Sequence, residues 1–112
     1  MGLFAGLRKI REHERGQLPF LKSVSDFDIV IEIGYHEERG RPIGLKQLFL
    51  LNICSKATVR RRLAKLIAGG VVIRNSLEED RRASILRIAP GTLKLFRKFT
   101  GVISDVAEMH FN

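Results

Sequence analysis

The sequence predicts a mainly α-helical domain carrying one small β-hairpin, and three observations predict it. Apolar residues recur at intervals of three and four through most of the chain. That period changes to two across "VVIRN" and "ASILRI", which flank the polar stretch "SLEEDRR". At 112 residues the chain has room for one hydrophobic core and not for two, so residues 1–112 are expected to form one domain.

Each element has its own signal. A first helix is expected from about Leu3 to Arg15, with Leu3, Leu7 and Ile10 on one face and Gly16 ending it. "GQLPFLKSV" then reads as a connection. Ser25 is a suitable N-cap for a second helix over residues 26–39, with Asp26 and Asp28 at its positive end. Phe27, Ile31 and Tyr35 line one side of that helix, Val30 and Ile33 widen the apolar face, and Gly40 and Pro42 stop it. A short third helix, Leu45 to Leu51, directs Leu45, Leu48, Phe49 and Leu51 inward. Asn52, Ile53 and Cys54 make a tight turn, and Ser55 caps a helix over residues 56–68 that ends at Gly69 and Gly70, one of them left-handed. The hairpin follows, and Pro90, suited to a first helical turn, opens a last helix running to about His110.

Helix, turn, helix and hairpin in that order describe a winged helix-turn-helix with N- and C-terminal helices. The helix-turn-helix spans residues 45–68 and the wing residues 71–88, with flanking helices in 1–16 and 90–112.

Composition narrows the partner. The chain carries a formal charge of +8, with 45% hydrophobic and 29% charged residues, the balance of a soluble globular protein. Residues 55–82 hold eight Lys/Arg against three Asp/Glu, whereas residues 23–54 hold three against five. Positive charge gathered in one segment is the electrostatic footprint of nucleic-acid binding. No apolar run approaches the roughly 18–20 residues of a membrane span. The first residues lack a secretory signal, and Gly6 stands where a myristoylation site needs Ser or Thr. A single cysteine, Cys54, excludes an intrachain disulfide and fits a reducing cytoplasm.

The stretch "SKATVRRRLAKLIAGG" holds the chemistry. Val59, Leu63, Leu66 and Ile67 form a core stripe, and successive helical residues point about 100° apart. Arg61 therefore lies nearly opposite the stripe, with Ala57 and Lys65 beside it and Thr58 slightly further round. Arg60 and Arg62 fall on opposite flanks, each roughly 75–85° from the stripe. A helix in the major groove reads base edges with the residues facing away from its own core. Arg61 is thus the candidate for a base-edge contact, with Thr58 and Ala57 able to approach a thymine methyl. Lys56, Arg60, Arg62 and Lys65 suit phosphates, which position a helix without specifying sequence. Ser55 at the cap and Arg74 on the first strand complete the DNA-binding set on this side. At the hairpin tip Arg81 and Arg82 suit the minor groove, where narrow A/T-rich tracts attract arginine, and Asp80 is placed to brace one of them. Glu78 and Glu79 are expected to point away from phosphates.

These residues resemble the MarR family of winged-helix transcription regulators of bacteria, over roughly residues 25–92. "SKATVRRRLAKLIAGGVVIR" is similar to that family's Ser…Thr-Val…Leu…Gly-Leu-Val…Arg pattern, and "DRRASILRIAPG" to its Asp-x-Arg wing signature. The resemblance implies a dimeric regulator of transcription that binds double-stranded DNA, with Asp80 as the bracing acid and Arg82 as the minor-groove arginine.

In the last helix Leu95, Phe99, Val102, Val106 and Met109 follow a heptad seam, and Leu93, Phe96, Ile103 and Ala107 form a neighbouring stripe. The first helix, with Leu3, Phe4, Leu7 and Ile10, is its natural partner, within the chain or across a two-fold axis. A homodimer is expected, with Leu3, Leu7 and Ile10 joining the seam in its interface. The basic, amphipathic "GLFAGLRKIREHER" also admits a helix lying on anionic lipid, which the dimer reading makes unnecessary.

His13, His36 and His110 have no metal-ligand spacing with each other or with Cys54, and no phosphate-cradling glycine loop or nucleophile set is legible. No metal, cofactor or enzymatic activity is therefore expected, and no effector pocket can be read. Cys54, in the turn before the basic helix, is expected to fill space, with redox sensing as the alternative. The competing reading is a winged-helix module whose basic face binds RNA or an acidic protein.

Overall fold

The structure, a computed structural model, describes residues 2–77 and 80–111, without the side chains of residues 77 and 80–83. Among the described residues five helices and one hairpin follow in the order α1 (Leu3–Gln17), α2 (Val24–Glu38), α3 (Leu45–Leu50), α4 (Lys56–Ala68), β1 (Val72–Leu77), β2 (Asp80–Ile88) and α5 (Pro90–His110). This is the mainly helical fold with one hairpin that the periodicity predicts.

The core lies where α2, α3, α4 and the base of the hairpin meet. Ile29, Val30, Ile33, Leu48, Val59, Leu63, Leu66, Val72 and Leu86 are buried there. β1 and β2 pair antiparallel from Val72 opposite Ile88 to Ser76 opposite Ser84, with an irregularity before Leu77 meets Asp80. The Leu86 N–H donates to the Ile43 carbonyl at 2.8 Å and the Ile88 N–H to Glu37 Oε1 at 2.9 Å, so α2 and the segment after it hold the wing's second strand. Close approach is built in at Gly44, where a Cβ would stand 2.6 Å from the Ser84 carbonyl oxygen.

Several boundaries and faces differ from the sequence expectation. α1 passes through Gly16 to Gln17, since a glycine in a helix costs only about 1 kcal/mol and does not by itself end it. α2 begins at Val24, capped by Ser23 and not Ser25: the Ser23 hydroxyl accepts the Asp26 N–H at 3.2 Å. Its buried face is Asp26, Ile29, Val30 and Ile33, whereas Ile31 and Tyr35 are exposed. Leu51 is also exposed, because α3 stops at Leu50 and the chain turns through Asn52 at φ +54°, a conformation asparagine tolerates. The expected left-handed glycine after α4 is Gly70, at φ +73°.

The molecule measures 55 × 26 × 22 Å, and α1 packs against α5. Phe27, Phe96 and Phe99 meet edge to face, and the His13 ring stacks on Phe99 with centroids 6.1 Å apart. The heptad seam of α5 is thus partly spent inside the chain. Phe99 and Val106 are buried, Leu95, Val102 and Ile10 are half-buried, and Leu3, Leu7 and Met109 remain exposed. Of the eight residues expected at a dimer interface, Phe99 and Val106 are therefore covered by their own chain, with α1 as the partner of α5.

Candidate nucleic-acid interface

α4 is fixed by its sequence at both ends. The Ser55 hydroxyl accepts the Thr58 N–H at 3.2 Å and donates to Thr58 Oγ1 at 2.8 Å, satisfying one of the donors that every helix start leaves open. Both hydroxyls are committed to the cap. At the far end the Gly69 N–H donates to the Lys65 carbonyl, and Gly70 reverses the chain into β1.

Between the ends, Val59, Leu63 and Leu66 are buried and Ile67 half-buried, as the core stripe requires. Arg61 stands on the opposite side, exposed beside Ala57 and Lys65, and makes no ion pair among the described residues. Arg60 is also exposed but is oriented: its guanidinium carbon lies 5.4 Å from the centroid of the Phe49 ring, and Lys56 Nζ lies 5.3 Å from the same centroid. An aromatic face attracts cations by its quadrupole, so α3 holds two of the expected phosphate ligands at the amino half of α4.

Arg62 departs from the phosphate role expected for it. Its Nε and Nη2 donate to Oδ1 and Oδ2 of Asp26 at 2.6 and 2.7 Å. Only 15% of the Arg62 side chain is exposed, and Asp26 is fully buried. Burial pushes the Asp26 carboxyl up, but the Arg62 bonds, the Lys22 N–H and Ser23 outweigh it and hold the group below its ordinary value; the Asp26 carboxylate in turn raises Arg62. A helical wheel places Arg62 on a flank, where a groove contact and a domain contact are both in reach. The one signal that separates them is Asp26, an acid at the buried start of α2.

On the wing, Arg74 is exposed and its Nε donates to Ser84 Oγ at 2.9 Å across the hairpin. The roles expected of Asp80, Arg81 and Arg82 concern side chains outside the described residues, as do those of Glu78 and Glu79. Cys54 is half-buried and packs against the core, consistent with filling the turn. Two open hollows flank α2, which the sequence did not reveal. One of about 750 Å³ is lined by Arg11, Arg15, Lys22 and Phe27, and an apolar one of about 600 Å³ by Ile31, Gly34, Leu93 and Phe96. Among the described residues no helix is long and apolar enough to cross a membrane, and no cluster of metal-ligating side chains occurs.

No family model matches the chain, and no curated protein matches it by sequence. Solved structures do match. A transcriptional regulator of Thermotoga maritima, Tm0710, is 27% identical over 89% of this chain and 68% of its own, at a TM-score of 0.69. A MepR variant of S. aureus is 13% identical over 88% of this chain and 71% of its own, at a TM-score of 0.67. A MarR variant of E. coli, solved with operator DNA, is 16% identical over 92% of this chain and 71% of its own, at a TM-score of 0.61. The fold is a MarR-like winged helix-turn-helix, and these neighbours are transcriptional regulators.

Proposed function

We propose that this MarR-like chain binds double-stranded DNA sequence-specifically as a homodimeric regulator of transcription, with α4 in the major groove and the wing on the minor groove. One observation carries the reading: the face of α4 opposite its buried stripe presents Arg61, Ala57 and Lys65 to solvent, beside two cations held over Phe49. Arg61 meets a base edge, and Ala57 and the Thr58 methyl approach a thymine. Lys56, Arg60, Lys65 and Arg74 meet phosphates, with Ser55 supplying the helix start. The wing arginines Arg81 and Arg82 are assigned to the minor groove. The operator complex of the E. coli MarR variant supports this docking by analogy of fold.

Leu3, Phe4, Leu7 and Met109, exposed on the paired helices, supply the surface of the two-fold interface. A symmetric dimer presents two copies of α4 to a palindromic site. Such a regulator acts in the cytoplasm, where bacterial DNA lies. The salt dependence of duplex binding tests the reading. With these four phosphate contacts per subunit, the log–log slope is expected near −3 to −4 per subunit. Affinity confined to single-stranded RNA or to an acidic protein would instead establish the competing role as an interaction module.

A further inference from the structure

The Asp26 carboxylate ties the α1–α2 connection and α4 to the start of α2. Among the described residues it is the one buried acid, with no exposed surface. The backbone N–H of Lys22, in the α1–α2 connection, donates to its Oδ2 at 2.8 Å. Its own N–H is held by Ser23 at the start of α2. From α4, Arg62 delivers two parallel bonds of 2.6 and 2.7 Å, one to each oxygen.

The geometry of that fork matters more than its strength. A buried ion pair is a poor way to gain stability, because desolvation offsets the Coulomb attraction and apolar residues of similar volume often serve as well. What a planar guanidinium on a carboxylate does supply is direction, since two bonds in one plane fix translation and rotation together. The apolar contacts of α4 with the core come from Val59, Leu63, Leu66 and half-buried Ile67, and apolar burial is non-directional; the cations over Phe49 are exposed and lie in the amino half of the helix. Arg61 is the immediate neighbour of Arg62, so any rotation of α4 about its axis swings Arg61 across the groove it is proposed to read.

We infer that Asp26 is a positioning residue for α4: through its two-pronged bond to Arg62 it fixes the rotation of the helix, and hence the aim of Arg61. This inference rests on the DNA-binding reading above for its consequence, though not for its geometry. It assigns Arg62 to sequence discrimination and not to general affinity.

Two variants separate this role from mere stabilisation. R62K keeps the charge but loses the fork. D26N/R62M removes both charges, and the amide oxygen it introduces can still accept from the Lys22 N–H, so it is expected to remain folded. Their binding is compared on a duplex selected from a random pool by the wild type and on a scrambled duplex. Both variants are expected to lose about tenfold in discrimination, the scale of one charged hydrogen bond, while affinity for the scrambled duplex stays within about twofold. Wild-type discrimination in folded D26N/R62M overturns the inference, as does loss of scrambled-duplex affinity in R62K with discrimination intact. Amide hydrogen exchange in the free protein decides the geometric claim even if the wild type binds no duplex, the outcome that would sink the DNA reading. Exchange in α4 of R62K is expected to rise about tenfold relative to α5. Equal acceleration in both helices, or none in either, overturns the inference.

Discussion

The guanidinium of Arg60 lies over the ring of Phe49, 5.4 Å from its centroid, and the same ring is shared by the ammonium of Lys56. A residue on the short helix α3 thereby sets the direction of two cations on α4. Phe49→Leu keeps an apolar side chain against the core but removes the aromatic face. At an exposed site each cation–π contact is worth about 0.5–1 kcal/mol. The expected result is a several-fold loss of affinity for every duplex alike, with discrimination unchanged, read by titration of selected and scrambled duplexes.

Acid should weaken the fold through Asp26. Its carboxyl is held below the ordinary value of 3.8 in the folded state, so the folded protein binds that proton less readily than the unfolded chain. The stability it contributes is fully present above 3.8 and is lost as pH falls from there through the lower folded-state value. In Asp26→Asn this component of the acid transition is absent. Denaturant midpoints measured from about pH 6 down to about pH 2 check it: the wild-type and variant curves should converge at the acid end.

Two glycines in the terminal helices are expected to respond in opposite directions. A Cβ on Gly6 would stand 2.7 Å from the Cβ of His110 and from the Phe111 ring, so α1 and α5 approach each other there at glycine distance. Gly6→Ala should cost about 1–3 kcal/mol through overpacking. Nothing lies within 4 Å of a Cβ on Gly101, an exposed position inside α5. Gly101→Ala should stabilise by about 0.5–1 kcal/mol. Chemical denaturation of the two variants reads both signs.

The proposed dimer uses the exposed face of the α1–α5 pair. Leu7→Glu, which places a charge at a position 42% exposed in the single chain, should leave the subunit folded. It should raise the dissociation constant of the dimer about tenfold or more, as burying an unpaired charge at an interface does. Sedimentation across a concentration series checks it, and an unchanged dimer would move the interface elsewhere.

Much of this architecture is legible because the apolar period is unambiguous. The change from intervals of three and four to alternation places the hairpin, and the Ser55 and Gly70 signals bracket α4 to the residue. The start of α2 is harder to read because "SVSD" offers two serines, and only the Asp26 N–H donating to the Ser23 hydroxyl, with the Lys22 N–H donating to the Asp26 carboxylate, selects Ser23. Arg62 escapes the sequence for a related reason. A helical wheel gives direction around one axis and says nothing of what another helix, 36 residues earlier, brings to that flank. The seam of α5 shows the same limit: its spacing marks Phe99 and Val106 as apolar contacts but not whether the covering helix belongs to the same chain.

The central claim is that the open face of α4 reads base edges through Arg61. Selection of bound sequences from a random duplex pool, run in parallel with wild type and Arg61→Ala, tests it most directly. The wild type is expected to enrich a two-fold symmetric site, and Arg61→Ala to lose preference at one base pair per half-site, by about 1–3 kcal/mol, while still binding duplex. Enrichment of no site by the wild type, or of the same site with undiminished preference by the variant, would contradict the account.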